Sequence, residues 1–259
     1  MNLSQFSNRI EDTGSTQIKF DSVSFAYLSD HEKETVVLSD FNNIFQVNRI
    51  NVLFGPNGCG KTTILRLLAG MEKPNRGGII YPSSDGRQRR ISYVFQNYKD
   101  TLLPWLTVRR NLSILENNLL RVDRLLDKFG LYHFKDSYPY ELSGGQQQIL
   151  AIVKAIAYSS DIMLLDEPFS ALDFNRARKF WQIFTNIWET EGTTAFLVSH
   201  SIEEAIFLGE HLHIMSKIPT RVIERIDLVF PKPQGLHWFA SDEYFNVRRH
   251  IEDILETPK

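Results

Sequence analysis

Gly55-Pro56-Asn57-Gly58-Cys59-Gly60-Lys61-Thr62 fits G-x-x-x-x-G-K-[ST], the pattern of a phosphate-binding loop. Such a loop sits between a strand and a helix, and the flanking residues have that form. Ile50-Asn51-Val52-Leu53-Phe54 reads as a short apolar strand. Thr63 to Ala69 carries helical apolar spacing and stops at Gly70, a residue suited to a helix C-cap. Glycines let the backbone wrap a polyphosphate closely, and the start of the helix offers unpaired N–H groups and a positive dipole end. Lys61 is placed to reach the β- and γ-phosphates, and the Thr62 hydroxyl to bind Mg²⁺. An ordinary Gly-rich turn is the competing reading, and strand, helix, Lys and Thr together weigh against it.

The 259 residues are 42% hydrophobic, enough for a sizeable core and too apolar for a disordered chain. The formal charge is −2 and no long basic run occurs, so electrostatics does not favour nucleic acid as a partner. Cys59 is the single cysteine, which excludes an internal disulfide and suits a reducing compartment. No apolar run approaches the roughly 20 residues of a spanning helix. The stretch from Met1 to Thr16 is polar, lacks an apolar signal core and reads as a frayed tail. Membrane association is therefore expected through a partner.

Along the chain, Gln17 to Phe20 and Val23 to Tyr27 alternate as strands do, followed by a charged turn from Leu28 to Thr35. Val36 to Leu38 and Phe41 to Val47 resume strand patterning. Tyr27 either stacks on an adenine face or packs as an edge-strand aromatic. Lys73 to Gly78 is a turn cluster, Ile79 to Tyr81 a short strand, and Ser83 to Arg90 a polar loop with a basic end. Ile91 to Phe95 is another strand with Gln96 at its end, where α/β sheets bind ligands. That glutamine either reaches a metal or an attacking water, or is a plain loop residue.

From Tyr98 to about Tyr140 the composition shifts to a helical lobe inserted into the sheet domain, with helices over Val108 to Leu115, Asn118 to Phe129 and Tyr132 to Asp136. Trp105, in Leu102-Leu103-Pro104-Trp105-Leu106-Thr107-Val108, is either lobe core or an exposed docking surface. Leu142-Ser143-Gly144-Gly145-Gln146 leads into a helix from Gln147 to Tyr158; it is either an anion-binding nest or a Ser N-cap beside flexible glycines. Ile162 to Leu165 is apolar throughout, as in the centre of a parallel sheet, and ends in Asp166-Glu167. Adjacent carboxylates there suit Mg²⁺ binding by Asp166 and water activation by Glu167. Ser170 to Asp173 turns into a helix from Arg176 to Trp188. Thr194 to Ser199 is a strand ending at His200, which either contacts a γ-phosphate or is structural. A helix over Ile202 to Leu208, a strand over His211 to Met215, a polar strand, the Pro231-Lys232-Pro233 turn and an amphipathic helix near Tyr244 to Leu255 complete the chain.

This ordered set of the phosphate loop, Gln96, Leu142-Ser143-Gly144-Gly145-Gln146, Asp166-Glu167, Ser170-Ala171-Leu172-Asp173 and His200 resembles the ATP-binding subunit of ABC transporters over nearly the whole chain. The resemblance implies an α/β P-loop fold: a mixed β-sheet core, an antiparallel β-subdomain and an inserted α-helical lobe. It places the ATPase domain at 17–230, its lobe at about 98–140, a tail at 1–16 and a short extension at 231–259. It implies ATP and Mg²⁺ as cofactors. ATP contacts would come from Tyr27, from Gly55, Pro56, Asn57, Gly58, Cys59, Gly60, Lys61, Thr62 and Thr63, and, across a dimer, from Ser143, Gly144, Gly145 and Gln146. Mg²⁺ would be held by Thr62, Gln96 and Asp166, and Lys61, Gln96, Glu167 and His200 would form the catalytic set. Asp173 would belong to the loop that crosses the dimer.

Val94-Phe95-Gln96, Leu102 to Val108 and Glu203-Glu204-Ala205-Ile206-Phe207-Leu208 are similar to the nitrate, sulfonate, taurine and bicarbonate group of bacterial importers. In that group the segment near Leu103 to Thr107 helps form the groove for a coupling helix of the permease. The implied partners are transmembrane permease subunits, a second ATP-binding subunit (identical or homologous) and, indirectly, a periplasmic or lipid-anchored solute-binding protein. The implied place is the cytoplasmic face of the inner membrane. Two positions depart from the family pattern, Ile149 where arginine is usual and Ser201 where aspartate is usual. The alternative is a soluble ABC ATPase acting on ribosomes or DNA, a class that carries tandem cassettes or a long coiled-coil insertion.

Overall fold

The structure, a computed structural model, describes residues 16–28, 34–83, 87–228 and 236–256. Residues 1–15 of the expected 1–16 tail, most of the turn after Leu28, the tip of the basic loop at 84–86 and the Pro231-Lys232-Pro233 turn lie outside the described residues.

Two sheets and seven α-helices build the molecule among these residues. The smaller sheet is antiparallel, with β1 (Gln17–Leu28) between β2 (Glu34–Gln46) and a later strand. The sequence suggests two short strands in place of each of β1 and β2; each is one long strand with a bulge. Ser22 and Asp40 both sit at φ 50°. The amides that the bulges remove from the ladder find side chains instead, Ser22 N–H on Asn42 Oδ1 (2.9 Å) and Asp40 N–H on Ser24 Oγ (3.1 Å). The third strand, β4 (Arg76–Ile80), starts inside the expected turn cluster. Gly77 explains this: its φ is +71°, and a Cβ there would stand 2.2 Å from Ser22 O. Only glycine lets β4 pass the bulge of β1.

The larger sheet has the order β5-β6-β7-β3-β8-β9, where β3 is Ile50–Phe54, β5 Ile91–Val94, β6 Ile162–Asp166, β7 Thr194–Ser199, β8 His211–Met215 and β9 Val222–Asp227. All are parallel except β9, which runs antiparallel to β8. Every residue of β3, β6 and β7 is buried, as the continuous apolar runs require. Side-chain alternation divides the core. Leu53, Leu164, Phe196 and Val198 pack with Phe20, Phe45 and the helix α1 (Lys61–Leu68). Val52, Leu165 and Leu197 pack on the opposite face with α4 (Gly144–Ala157), α5 (Phe174–Glu191) and α6 (Ile202–Leu208). Helices α2 (Val108–Ser113) and α3 (Leu119–Lys128) join that second core through Val108, Leu112, Val122 and Leu126. Tyr132–Phe134 is a 3-10 turn rather than a longer helix. The last helix, α7 (Asp242–Glu256), buries Tyr244 and Ile251 in the same core.

This strand order brings the carboxyl ends of β6, β7 and β3 side by side. The phosphate loop after β3, Asp166-Glu167 at the end of β6 and His200 after β7 therefore leave the sheet at one edge, where parallel α/β sheets receive ligands.

Candidate functional site: a phosphate-loop cleft

The loop after β3 enters α1 through Gly60, at φ +98°. A side chain there would meet Val37 Cγ1 at 2.6 Å and Thr220 Oγ1 at 2.7 Å, so the loop is pressed against β2 and the segment before β9. Thr220 Oγ1 touches the carbonyls of Val37 (2.9 Å) and Cys59, closing the loop from beneath. Lys61 is only 5% exposed, and its ammonium donates to the carbonyls of Gly55 and Pro56, both at 2.8 Å. Cys59 turns its thiol into the core, where burial raises the thiol pKa, so only its backbone can face a ligand.

A cleft of about 760 Å³ lies above this loop, lined by Tyr27, Asn57, Gly58, Cys59, Gly60, Lys61, Thr62, Thr63, Gln96, Glu167 and His200. Thr35, Val37 and Ile218 complete the wall. Tyr27, held edge-on by Phe25 with ring centroids 4.9 Å apart, stands at the cleft and sets its hydroxyl 3.5 Å from Thr63 Oγ1.

The carboxylates occupy different settings. Thr62 Oγ1 donates to Asp166 Oδ1 (3.1 Å), and Tyr93 OH donates to Asp166 Oδ2 (3.4 Å). Burial raises the Asp166 pKa, the Thr62 and Tyr93 hydrogen bonds oppose the rise, and the neighbouring Glu167 charge adds to it. Glu167 is part-exposed in the cleft. Its Oε1 lies 2.7 Å from His200 Nε2 and accepts from Gln96 Nε2 at 3.2 Å. Glu167 also holds φ 52°, a left-handed conformation that a non-glycine residue keeps only when its surroundings over-determine it. Its N–H donates to Val198 O (3.1 Å), and its carbonyl accepts from Ser170 Oγ (3.0 Å) and Gln148 Nε2 (3.3 Å).

Gln148, which holds the turn after Glu167, is one residue of the site that sequence reasoning does not single out. Fully buried on α4, it also accepts from Ala171 N–H through Oε1 (3.0 Å), so one side chain clasps the whole turn after Glu167. In the run Gln146-Gln147-Gln148 the three glutamines look alike; the apolar residues that follow Gln148 are the one hint of burial. Tyr93, an ordinary strand aromatic in sequence, was missed as well.

Ser143, Gly144, Gly145 and Gln146 are not brought to this cleft. They form the first turn of α4, which begins three residues earlier than the spacing suggests. Ser143 Oγ accepts from Gln146 N–H (3.4 Å) while Gln146 Oε1 accepts from Ser143 N–H (2.8 Å), a capping box. Gly145 and Gln146 line a separate depression with Leu172, Arg176 and Lys179. Asp173 caps α5 by accepting from Arg176 N–H (3.1 Å). Ser201 does the same for α6, accepting from Glu204 N–H (3.2 Å), so serine serves where aspartate is usual. Ile149 is buried in the core. Trp105 is 69% exposed and is not lobe core.

The family model described as ABC transporter matches residues 38–170, from β2 to the turn after Glu167. The chain belongs to the ABC transporter ATPase family. It is 32% identical over 249 residues to the aliphatic sulfonates import ATP-binding protein SsuB of Bacillus cereus, covering 92% of this chain and 96% of that protein. It is 36% identical over 232 residues to the taurine import ATP-binding protein TauB of Jannaschia sp., covering 86% and 81%. Among solved structures, the ATP-binding cassette MJ0796, a dimer in a post-hydrolysis state with ADP and Pi, matches with a TM-score of 0.71 and 27% identity over 83% of this chain and 100% of that one. The ABC ATPase fold expected from the motifs is the fold observed. Among the described residues of this ABC ATPase, no helix is long and apolar enough to cross a membrane.

Proposed function

We propose that this ABC ATPase binds and hydrolyses ATP between two copies of itself, or between itself and a homologous subunit, and so drives import of a small anion through a separate permease. One observation carries the reading: the phosphate loop, Gln96, Glu167 and His200 line one cleft and Asp166 bonds to Thr62 of that loop, while Ser143 to Gln146 stand apart on the same chain, Ser143 and Gly144 exposed and Gly145 and Gln146 half-buried. A second subunit is what would supply that turn to the γ-phosphate.

In this reading the phosphate-loop amides and Lys61 hold the polyphosphate, and Tyr27 stacks on adenine. Glu167 orients the attacking water, and His200 and Gln96 hold the Glu167 carboxylate in place. The oxygens of Thr62 and Asp166 fit Mg²⁺, a hard cation held by few protein ligands together with phosphates. The buried carboxyl of Asp166, with only hydroxyl partners, favours a cation there too. Mg²⁺ would be held by Thr62 and Asp166, with Gln96 nearby, and would neutralise charge developing on the β- and γ-phosphates.

The sulfonate and taurine importers named above support an anion of the nitrate, sulfonate, taurine or bicarbonate class as cargo. The exposed Trp105 and its neighbours suit contact with permease subunits at the cytoplasmic face of the inner membrane, with a solute-binding protein acting indirectly on the other side. The test is to recover tagged Glu167→Gln protein from detergent-solubilised membranes with ATP present. Co-purification of a polytopic permease is expected. Ribosomes or nucleic acid in its place would overturn the transport reading.

A further inference from the structure

Glu204 lies in the first turn of α6, four residues after His200, and is 7% exposed. Its Oε2 stands 2.7 Å from Ser199 Oγ, and its Oε1 has no hydrogen-bond partner among the described residues. Ser199 is fully buried at the end of β7. Its hydroxyl accepts from Ser201 N–H (3.1 Å) and also faces Ser201 O at 3.2 Å. These contacts bracket His200 on both sides.

The proton count is informative. Ser199 has one hydroxyl hydrogen and two oxygens to serve, Ser201 O and Glu204 Oε2. Both bonds exist together only when Glu204 carries a proton and donates it to Ser199 Oγ. An ionised Glu204 would be a buried carboxylate with a single neutral partner and no cation on it, which is costly. The charged and titratable groups on the elements packed around α6 do not offset that cost. Glu167 after β6 is itself acidic, and His200 is engaged by Glu167. On α5, Arg178 lies over the Phe174 and Phe239 rings. On α7, Arg248 pairs with Glu203 and Glu252 and touches Tyr244 OH. β3 carries no ionisable side chain.

We infer that Glu204 is a positioning residue of the ATPase reaction, a neutral carboxylic acid that donates to Ser199 Oγ and so holds the turn that presents His200 to Glu167. This rests on the ATPase reading above. Burial pushes the Glu204 pKa up to about 8; the Ser199 hydrogen bond works against the rise and the Glu167 charge with it. Glu204 also shares a cavity with Glu167, His200 and Trp181, whose Nε1 likewise has no partner among the described residues. Ionisation of Glu204 removes a donor from the turn and adds negative charge beside the catalytic carboxylate. Turnover therefore falls as pH rises through about 8.

The test compares the full-length wild type with Glu204→Gln and Glu204→Ala. Glutamine keeps a neutral donor to Ser199, and alanine does not. ATP hydrolysis is measured against pH, with ATP binding measured alongside. Glu204→Ala is expected to lower kcat about tenfold or more with little change in KM, by loosening the His200 turn. Glu204→Gln is expected to recover most of that loss and to remove the alkaline fall. Infrared difference spectra supply a readout that does not depend on activity: a protonated-carboxyl C=O band present at neutral pH in the wild type and lost in Glu204→Gln. An alkaline fall unchanged in Glu204→Gln, or absence of that band, overturns the inference and leaves the ATPase reading intact. A wild type that binds but never hydrolyses ATP, with or without its permease, overturns the ATPase reading itself, while the infrared band still reports on Glu204.

Discussion

Glu167 Oε1 and His200 Nε2 stand 2.7 Å apart across the ends of β6 and β7, adjacent strands whose sequences are separated by a whole helix. Glu167 reaches this contact from a left-handed backbone, and it lines the same cleft as the phosphate loop. Glu167→Gln keeps the shape and removes the charge that polarises water in the proposed reaction. It is expected to bind ATP, to hydrolyse it about a hundredfold or more slowly, and to accumulate as an ATP-bound dimer. Phosphate release and size-exclusion chromatography with ATP check this, and near-normal turnover would sink the assignment.

Gln148 secures the same turn from α4 through Glu167 O, Ser170 Oγ and Ala171 N. Gln148→Ala takes away the acceptor of Ala171 N–H and one of the two donors to Glu167 O, which keeps Ser170 Oγ, at a cost of about 1–3 kcal/mol. Its kcat is expected to fall more than its ATP affinity, because the phosphate loop is untouched. Urea unfolding and steady-state kinetics measure the two effects separately.

Gly77 faces Ser22 O across β1 and β4, whereas a Cβ on Gly78 would meet nothing within 4 Å. Gly77→Ala is expected to destabilise by about 1–3 kcal/mol through clash and strain. Gly78→Ala should be close to neutral. Equal stability of the two variants in urea would refute this account of the bulge.

The raised pKa of Glu204 has a sign in stability as well. Its folded value, about 8, exceeds its ordinary 4.5, so between those pH values the folded state holds the proton more tightly. The contribution is complete below about 4.5 and is lost as pH rises through about 8. The unfolding free energy of the wild type minus that of Glu204→Gln, measured in urea, should therefore decrease from pH 5 to about pH 9 by an amount on the order of a few kcal/mol. A flat difference contradicts it.

Much of the site was legible because its groups are local. The phosphate loop between its strand and helix is a contiguous pattern that reads without distant neighbours, and Asp166-Glu167 and His200 take their reading from standing in order after it. The misreadings fall where a distant contact overrides local signals. Gly77 and Gly78 read as a turn because nothing nearby shows that Ser22 crowds one of them. Ser22 and Asp40 read as strand breaks because their amides are satisfied by Asn42 and Ser24 from other segments. The sequence puts the start of α4 late because glycines weaken a helix, while the Ser143–Gln146 capping box restores it.

The amino-acid order alone determined that this chain would cradle a polyphosphate on a strand–loop–helix unit, since glycine conformations, helix spacing and strand apolarity act over a few residues. Tertiary structure decided which strands lie beside β3, and so which carboxylate meets which histidine. It also decided that Gln148 and Glu204 are buried beside the turns that follow Glu167 and Ser199, and that Ser143 to Gln146 lie outside their own chain's cleft. Those facts depend on surfaces brought together from across the chain, where burial and hydrogen bonding set the protonation and orientation of a side chain, and no short stretch of sequence carries that information.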